Sequence, residues 1–437
     1  MVIDLETTKT IPVSVKETVA FFKKKKLWFI LSKNIKSTSC RDAANNRFRL
    51  GHVGIPLQDE LKSFFGKIIE GEKEKYLVIH CRGHQELDFG KALNLIESKG
   101  RIERLSAKEL SEFSGTQYGT VNPFSLDPHI ISKPILQVFD TSVNTHSSAP
   151  YTMMTNAGDL EWGIEFDPSE LIKALPETKT IVGKVVVNDN QNIKAKKIGL
   201  ITGNSPESGM FLWGLINEKI RLKLGNKFEG DVSYPTIHIT SLPDLGFTME
   251  LKYREKIIWA KLEKCIKTFI EKGVSNLTIA CNTTQYFNKK IVALCSRYDI
   301  KYYSIEDILK NYLDKNHIDQ SDFIGIGYTV NKQWSGFNKI LSRDDVTIPE
   351  KSILNKIDSI AYGVKQNGVT GKEINKFRDL INKQTESQNV IIALTEISIL
   401  LNSQKKNKKN GKIFIDTMDI LADSIVHDYL FNRFPSL

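Results

Sequence analysis

The chain has 437 residues, with 61 Lys+Arg against 51 Asp+Glu (formal net charge +10), 41% hydrophobic residues and 26% charged ones. That balance is globular and excludes wholesale disorder; the length predicts two or three domains, and no apolar run approaches the ~18 residues of a membrane helix, which excludes a spanning role. The excess charge is uneven, because residues 1–185 carry 25 Lys+Arg against 23 Asp+Glu, leaving 36 against 28 for the rest, part of it in the run Lys405 to Lys412, read as a solvated loop.

In chain order, the opening MVIDLETTKT has two acids and no apolar h-region, which is not a signal-peptide pattern. Up to about Lys184, short strand-like runs mix with helices in no regular order: LWFIL at Leu27–Leu31, KYLVIH at Lys75–His80 and ILQVFD at Ile135–Asp140. Lys23 to Lys26, beside Phe21, Phe22 and Trp28, reads as a solvated helix end, with a phosphate contact as the alternative. Lys62 follows a short helical run, LQDELK. His80, Cys81 and His84 (HCRGH) sit at a strand end, where alternate side chains point to opposite faces, and the sequence offers no fourth ligand, so no metal is expected there. The segment Gly115–Phe124 (GTQYGTVNPF) has glycines where a backbone turns tightly or approaches a ligand.

The order of these segments resembles the YbaK/prolyl-tRNA synthetase-associated family of aminoacyl-tRNA editing domains. Leu61-Lys62-Ser63-Phe64, the run YLVIHCRGHQELDFGKAL, the Gly115–Phe124 loop with Tyr118 at the family's usual Pro, VFD ending at Asp140, MMTNAG and DPSELIKAL match the family's sequence of elements over about residues 15–185. The resemblance implies hydrolysis of the ester between a mischarged amino acid and tRNA by a bound water. It places Lys62, Gly115, Gly119 and Asp140 at the site and names aminoacyl-tRNA as partner. A net charge of +2 over this half is modest for a tRNA-binding surface.

Polar residues without periodicity, about 186–196, read as a linker. After Lys197 the pattern becomes strand, helix, strand, helix: KIGLIT and a helix to about Leu224, YPTIHIT and helix Glu250–Lys272, NLTIA ending at Cys281, KYYSIE, DFIGIGYT, NVIIAL ending at Thr395-Glu396, then KIFID and helix Thr417–Phe431. Fully apolar strands in βα alternation predict parallel sheets covered on both faces. The expected class is α/β: a mixed α/β domain over 1–185, then 197–437 as two similar lobes (about 197–300 and 301–415) with a cleft between them and a C-terminal helix closing the chain. Ligands in such sheets bind beyond the strand carboxyl ends. Three strand ends carry suitable polar groups: Gly203-Asn204-Ser205-Pro206, Cys281-Asn282-Thr283-Thr284 and Thr395-Glu396. Five cysteines without a CxxC pair argue against a disulfide framework and for a reducing cytoplasm. Among them Cys281 is expected at a helix N-terminus, where the dipole favours a thiolate.

KIGLITGNSPESG, YPTIHITSLPDLG, ACNTTQYF, IIALTEIS and IFIDTMDILA resemble the aspartate/glutamate racemase superfamily over Lys197 to about Asp428. The resemblance implies a cofactor-independent enzyme, often dimeric, in which one cysteine from each lobe works on opposite faces of the substrate α-carbon. It assigns Cys281 as the first cysteine and Asn204, Ser205, Asn282, Thr283 and Thr284 as contacts to aspartate or glutamate. The family's second cysteine is Leu394 here, and Gln285 stands where a His is common. Cys295 lies 14 residues beyond Cys281, roughly 21 Å along one helix, and Cys265 is expected outside the cleft. Three readings are open: Thr395 with Glu396 as the second acid–base, one-base chemistry at Cys281 (proton exchange, elimination or decarboxylation), or binding of an acidic amino acid or tRNA without turnover.

Overall fold

The computed structural model describes residues 11–50, 55–115, 117–124, 135–144, 152–176, 179–187, 197–203, 205–403 and 411–433. Asn204, Thr116 of the glycine loop, most of the 186–196 linker and the lysine run up to Asn410 lie outside them. The chain divides into two compact units. One is Met1–Ala195 with Leu224–Ser233 and Leu430–Leu437; the other is Lys196–Lys223 with Tyr234–Tyr429.

The first unit has eight strands among its described residues: β1 (Phe29–Lys33), β2 (Leu61–Glu70), β3 (Lys73–Arg82), β4 (Arg101–Arg104), β5 (Ile135–Asp140), β6 (Met153–Asp159), β7 (Trp162–Phe166) and β8 (Thr180–Gly183). They form a mixed five-stranded sheet, β4-β2-β3-β5-β8, and an antiparallel three-stranded sheet, β1-β7-β6. The central strand is β3, paired antiparallel with β2 from Leu61↔Arg82 to Glu70↔Lys73 and parallel with β5. Its side chains alternate between two cores: Val78 packs with Phe65, Leu110 and Val121, while Leu77 and Ile79 pack with Phe64, Ala92 and Val138 on the opposite face. Helix Val13–Lys24 buries Val15, Thr18, Val19 and Phe22, one stripe at helical spacing, in a third core with Phe124 and Phe166. Lys23 to Lys26 come next on the exposed side, as a solvated helix end should. One local expectation is corrected. The segment before Lys62 holds only a 3-10 turn, Leu57–Asp59, and Lys62 itself is the second residue of β2.

The second unit contains two four-stranded sheets, and every pairing in them is parallel. The first uses β9 (Ile198–Thr202), β10 (Ile237–Ser241), β11 (Asn276–Ile279) and β12 (Lys301–Tyr302) in the order β10-β9-β11-β12. The second uses β13 (Ser321–Ile324), β14 (Val346–Thr347), β15 (Asn389–Ile392) and β16 (Ile413–Asp416) in the order β14-β13-β15-β16. The two orders are equivalent, so the lobes are similar and the mixed-then-parallel α/β class holds. In each, the chain winds first to one side and then to the other, which makes a topological switch point between β9 and β11 and again between β13 and β15. At Gly203, just after β9, φ is +137° and a Cβ would meet the Leu242 carbonyl oxygen at 2.0 Å, so only glycine lets this strand end turn beneath the neighbouring loop. Among the described residues no helix is long and apolar enough to cross a membrane.

His80 on β3 is fully buried and stacks on Phe139 with ring centroids 4.3 Å apart. Gln137 donates its amide N–H to the Pro123 carbonyl (3.1 Å), so its Oε1 faces His80 Nε2 (3.0 Å), and the Ser63 hydroxyl supplies the proton toward Nδ1 (2.9 Å). Both bonds suit a neutral ring protonated on Nε2. Burial pushes the His80 pKa down to about 3. The unfolded chain therefore binds a proton below about pH 6.5 that the folded unit refuses, and stability present above that pH falls as pH drops toward 3. Urea unfolding should lose about 2 kcal/mol between pH 6.5 and pH 5 through this residue, and His80→Gln should flatten that slope; an unchanged slope in the variant would assign the acid sensitivity elsewhere.

Candidate functional site

Two cavities collect the polar strand-end and loop residues, one in each unit. In the first unit a cavity of about 270 Å³ is walled by Cys40, Arg47, Glu60, Lys62, Tyr118, Gly119, Thr155, Asn156 and Trp162, among others. Lys62 reaches it from the start of β2, and its Nζ donates to the Gln85 carbonyl. Arg47 and Glu60 form an ion pair at this wall with side chains only 6% and 4% exposed, and Arg47 Nη2 also donates to the Ile55 carbonyl at 3.3 Å. Burial pulls the Arg47 pKa down to about 10. Such a pair adds little net stability but fixes where its two charges stand. The neighbouring Cys40 thiol is pushed up to about 11 by burial, against the opposing influence of Lys62, and is therefore held as a neutral thiol.

The glycine loop divides between structure and site. Gly115 ends helix Ala107–Ser114 in the left-handed conformation (φ +66°), which explains a glycine there without a ligand. Gly119 lines the cavity; Gly115 does not. The loop is held from below by Asn122, whose amide donates to Asn156 Oδ1 at 3.0 Å, while Asn156 donates to the Val121 carbonyl at 3.1 Å. Asp140 is also outside the cavity wall. Its carboxylate accepts the Ser142 and Val185 N–H groups, both at 2.9 Å, and so anchors the end of β5. His80 and Cys81 are buried in the sheet, and no group of three His, Cys, Asp or Glu that could hold a metal occurs among the described residues.

In the second unit, a cleft between the two lobes is lined by Cys281, Asn282 and Thr283 from the end of β11, and by Ile326, Leu394, Thr395 and Glu396 beyond β13 and β15. Both switch points thus open on one place. A further wall comes from helix Lys351–Asn367, which presents Asp358, Ala361, Tyr362 and Lys365 at helical spacing. Sequence reasoning missed this helix; its only signal is that spacing, which an ordinary solvated helix shares. Lys365 pairs with Glu396 at 3.3 Å, the latter 3% exposed, and the Thr395 hydroxyl donates to Glu396 Oε2 at 3.2 Å. The free volume is about 10 Å³, space for one water.

Cys281 is 3% exposed. The chain beyond it makes a 3-10 turn, Thr283–Phe287, and only then enters helix Asn288–Ser296, so the expected helix N-terminus is displaced from the thiol. The Asn282 amide touches the Thr417 hydroxyl at 3.2 Å with Oδ1, and its Nδ2, though buried, has no partner among the described residues. Thr417 has one proton and lies closer to the Ile392 carbonyl (2.8 Å), so the amide turned over would instead leave its carbonyl unpartnered. In either orientation one end of Asn282 awaits a hydrogen bond. Thr284 is satisfied within its own turn, donating to the Cys281 carbonyl at 2.8 Å, and Ser205 donates to Glu207 at 2.8 Å; neither lines the cleft. Gln285 is structural, since its Oε1 accepts the Ile305 N–H at 3.0 Å and its Nε2 points to the Cys281 carbonyl at 3.4 Å. Cys265 and Cys295 are buried in the hydrophobic core of the first lobe, and burial raises both thiols, Cys295 to about 11.

Residues 50–159 match the family described as aminoacyl-tRNA editing domain. No curated protein matches the chain significantly. Among solved structures, a proposed Asp/Glu racemase from Yersinia pestis is similar over 54% of this chain and 99% of its own, with 21% identity and a TM-score of 0.43. An aspartate racemase homologue from Pyrococcus horikoshii is similar over 54% and 99%, with 20% identity and a TM-score of 0.41. A proposed trans-editing enzyme for prolyl-tRNA synthetase is similar over 41% and 100%, with 16% identity and a TM-score of 0.31. At those scores the structural likenesses identify neither a substrate nor a reaction. The family match is what stands: residues 50–159 are similar to the aminoacyl-tRNA editing domain family.

Proposed function

We propose that the second unit moves a proton at the α-carbon of an acidic amino acid, aspartate or glutamate, with the Cys281 thiolate as base. We propose also that the first unit hydrolyses the ester of a mischarged aminoacyl-tRNA. One observation supports the first reading above the rest: the cleft joins a thiol, an amide with an unpartnered buried end, a threonine and a lysine from the opposite lobe. An amino acid presents a carboxylate and an ammonium beside the α-carbon, and these groups are their complements. Asn282, Thr283, Thr395 and the Lys365–Glu396 pair would hold the two charged ends. Charge builds on the α-carboxylate as the α-proton leaves, and a cation at that place lowers the barrier. Space for one water does not admit aspartate, so entry requires the lobes to part. No cofactor enters this scheme.

Leu394 favours a second reading for the same cleft. It lines the wall opposite Cys281, and its side chain has no proton to exchange. A single thiol supports proton exchange on one face of the substrate, or binding without turnover. In the first unit, the cavity of about 270 Å³ has room for an aminoacyl group. Lys62 would contact the ester end, Gly119 would leave room for it, and a water would attack, with Gly115 and Asp140 shaping the loop and strand that carry them.

Incubation with D- and L-aspartate and D- and L-glutamate in heavy water, monitored by NMR, tests the cleft. The α-proton of at least one of the four should wash out, and Cys281→Ser should slow this by 100-fold or more, the scale of a general base. Absence of exchange from all four would contradict the reading. For the first unit, Lys62→Ala should slow release of amino acid from mischarged tRNA at least tenfold; release at the parent rate would remove Lys62 from the site.

A further inference from the structure

We infer that Asp358 supplies the acid–base group on the face of the cleft opposite Cys281, in the role that Leu394 cannot fill; this rests on the proton-transfer reading above. Leu394 has no exchangeable proton. Thr395 is a weak acid and needs a base to take its proton, and its neighbour Glu396 is already engaged by Lys365 at 3.3 Å and by the Thr395 hydroxyl at 3.2 Å. Lys365 is the other half of that pair. Tyr362 is 47% exposed. Asp358 differs from all of these. It lines the same cleft as Cys281, from the opposite lobe, one helical turn before Tyr362 and two before Lys365. Its Oδ1 is shielded from solvent and has no hydrogen-bond partner among the described residues. A carboxyl oxygen in that state is costly unless it is protonated or meets a donor.

The electrostatics agree with the geometry. Burial raises the Asp358 pKa, and the opposing backbone N–H of Gly327 lowers it less than burial raises it. A carboxyl poised toward its acid form can give a proton, and its conjugate base can take one. The step balances with no co-reactant: the Cys281 thiolate takes the α-proton of one enantiomer, the C–H electron pair passes into the α-carboxylate as an enediolate, and the Asp358 carboxyl delivers its proton to the other face. The enzyme is left with a Cys281 thiol and an Asp358 carboxylate, the protonation state needed to convert the opposite enantiomer. Exchange with solvent resets either form.

The test is α-proton exchange in heavy water, read separately for each enantiomer of the acid that the parent protein turns over. Parent protein should exchange both. Asp358→Asn should lose 100-fold or more for one enantiomer while the other stays within tenfold, and Cys281→Ser should show the reverse pattern. In Asp358→Ala, formate should restore exchange of the affected enantiomer, a rescue that a purely structural defect would not give. If the parent exchanges both enantiomers and Asp358→Asn alters neither, the assignment of Asp358 is overturned and the proton-transfer reading stands. Exchange of one enantiomer only by the parent also overturns the assignment and leaves a one-base cleft. No exchange by the parent overturns both.

Discussion

Parallel pairing is the constraint on which the second unit depends. Ile201 lies opposite Ile279 and Ile324 opposite Ile392, so in each lobe two strand ends emerge side by side at the same height. Because each sheet reverses its winding at that pair of strands, the succeeding helices diverge and leave a crevice. Cys281 stands two residues past the end of β11, and Thr395 three past the end of β15. Both line one cleft. Leu394, from the second lobe, lines the same cleft where the first lobe has Cys281, and this is the asymmetry that defines the site.

The first unit depends on a different arrangement. Its central strand is buried from Leu77 to Arg82, where His80 is paired with Ser63 and Gln137 and Arg82 with Asp59 at 2.7 Å, and Arg47 is paired with Glu60 outside that strand. Each would be costly alone. Together they fix the strand from which Lys62 reaches the cavity and the turn that precedes it. The residues around the cavity are positioned by this buried polar frame more than by the glycine loop, whose first glycine serves the helix before it.

Much of this is legible in the sequence because apolar strands with polar ends leave a plain trace. NVIIAL and NLTIA mark their strands and the residues just past them, and the editing-domain resemblance is borne out by the family match over 50–159. The cleft wall at Asp358, Tyr362 and Lys365 is not legible, since charged residues at helical spacing on an amphipathic helix look the same whether they face water or a cleft. LQDELK has helical residues and so suggests a helix beside Lys62, but pairing with β3 across ten positions outweighs local preference. Asp140 and Thr284 carry polar groups that suit a ligand equally well as a strand end or a turn. Only the position of their hydrogen-bond partners separates the two uses.

The central claim is that the cleft at Cys281 is where an acidic amino acid enters, and protection of that thiol tests it most directly. Alkylation by iodoacetamide, tracked peptide by peptide by mass spectrometry, reads Cys281 separately from the other four cysteines. Saturating aspartate or glutamate should slow alkylation of Cys281 at least tenfold, while Cys40, in the other unit, reacts as before. The same Cys281 rate with and without either acid would contradict the account.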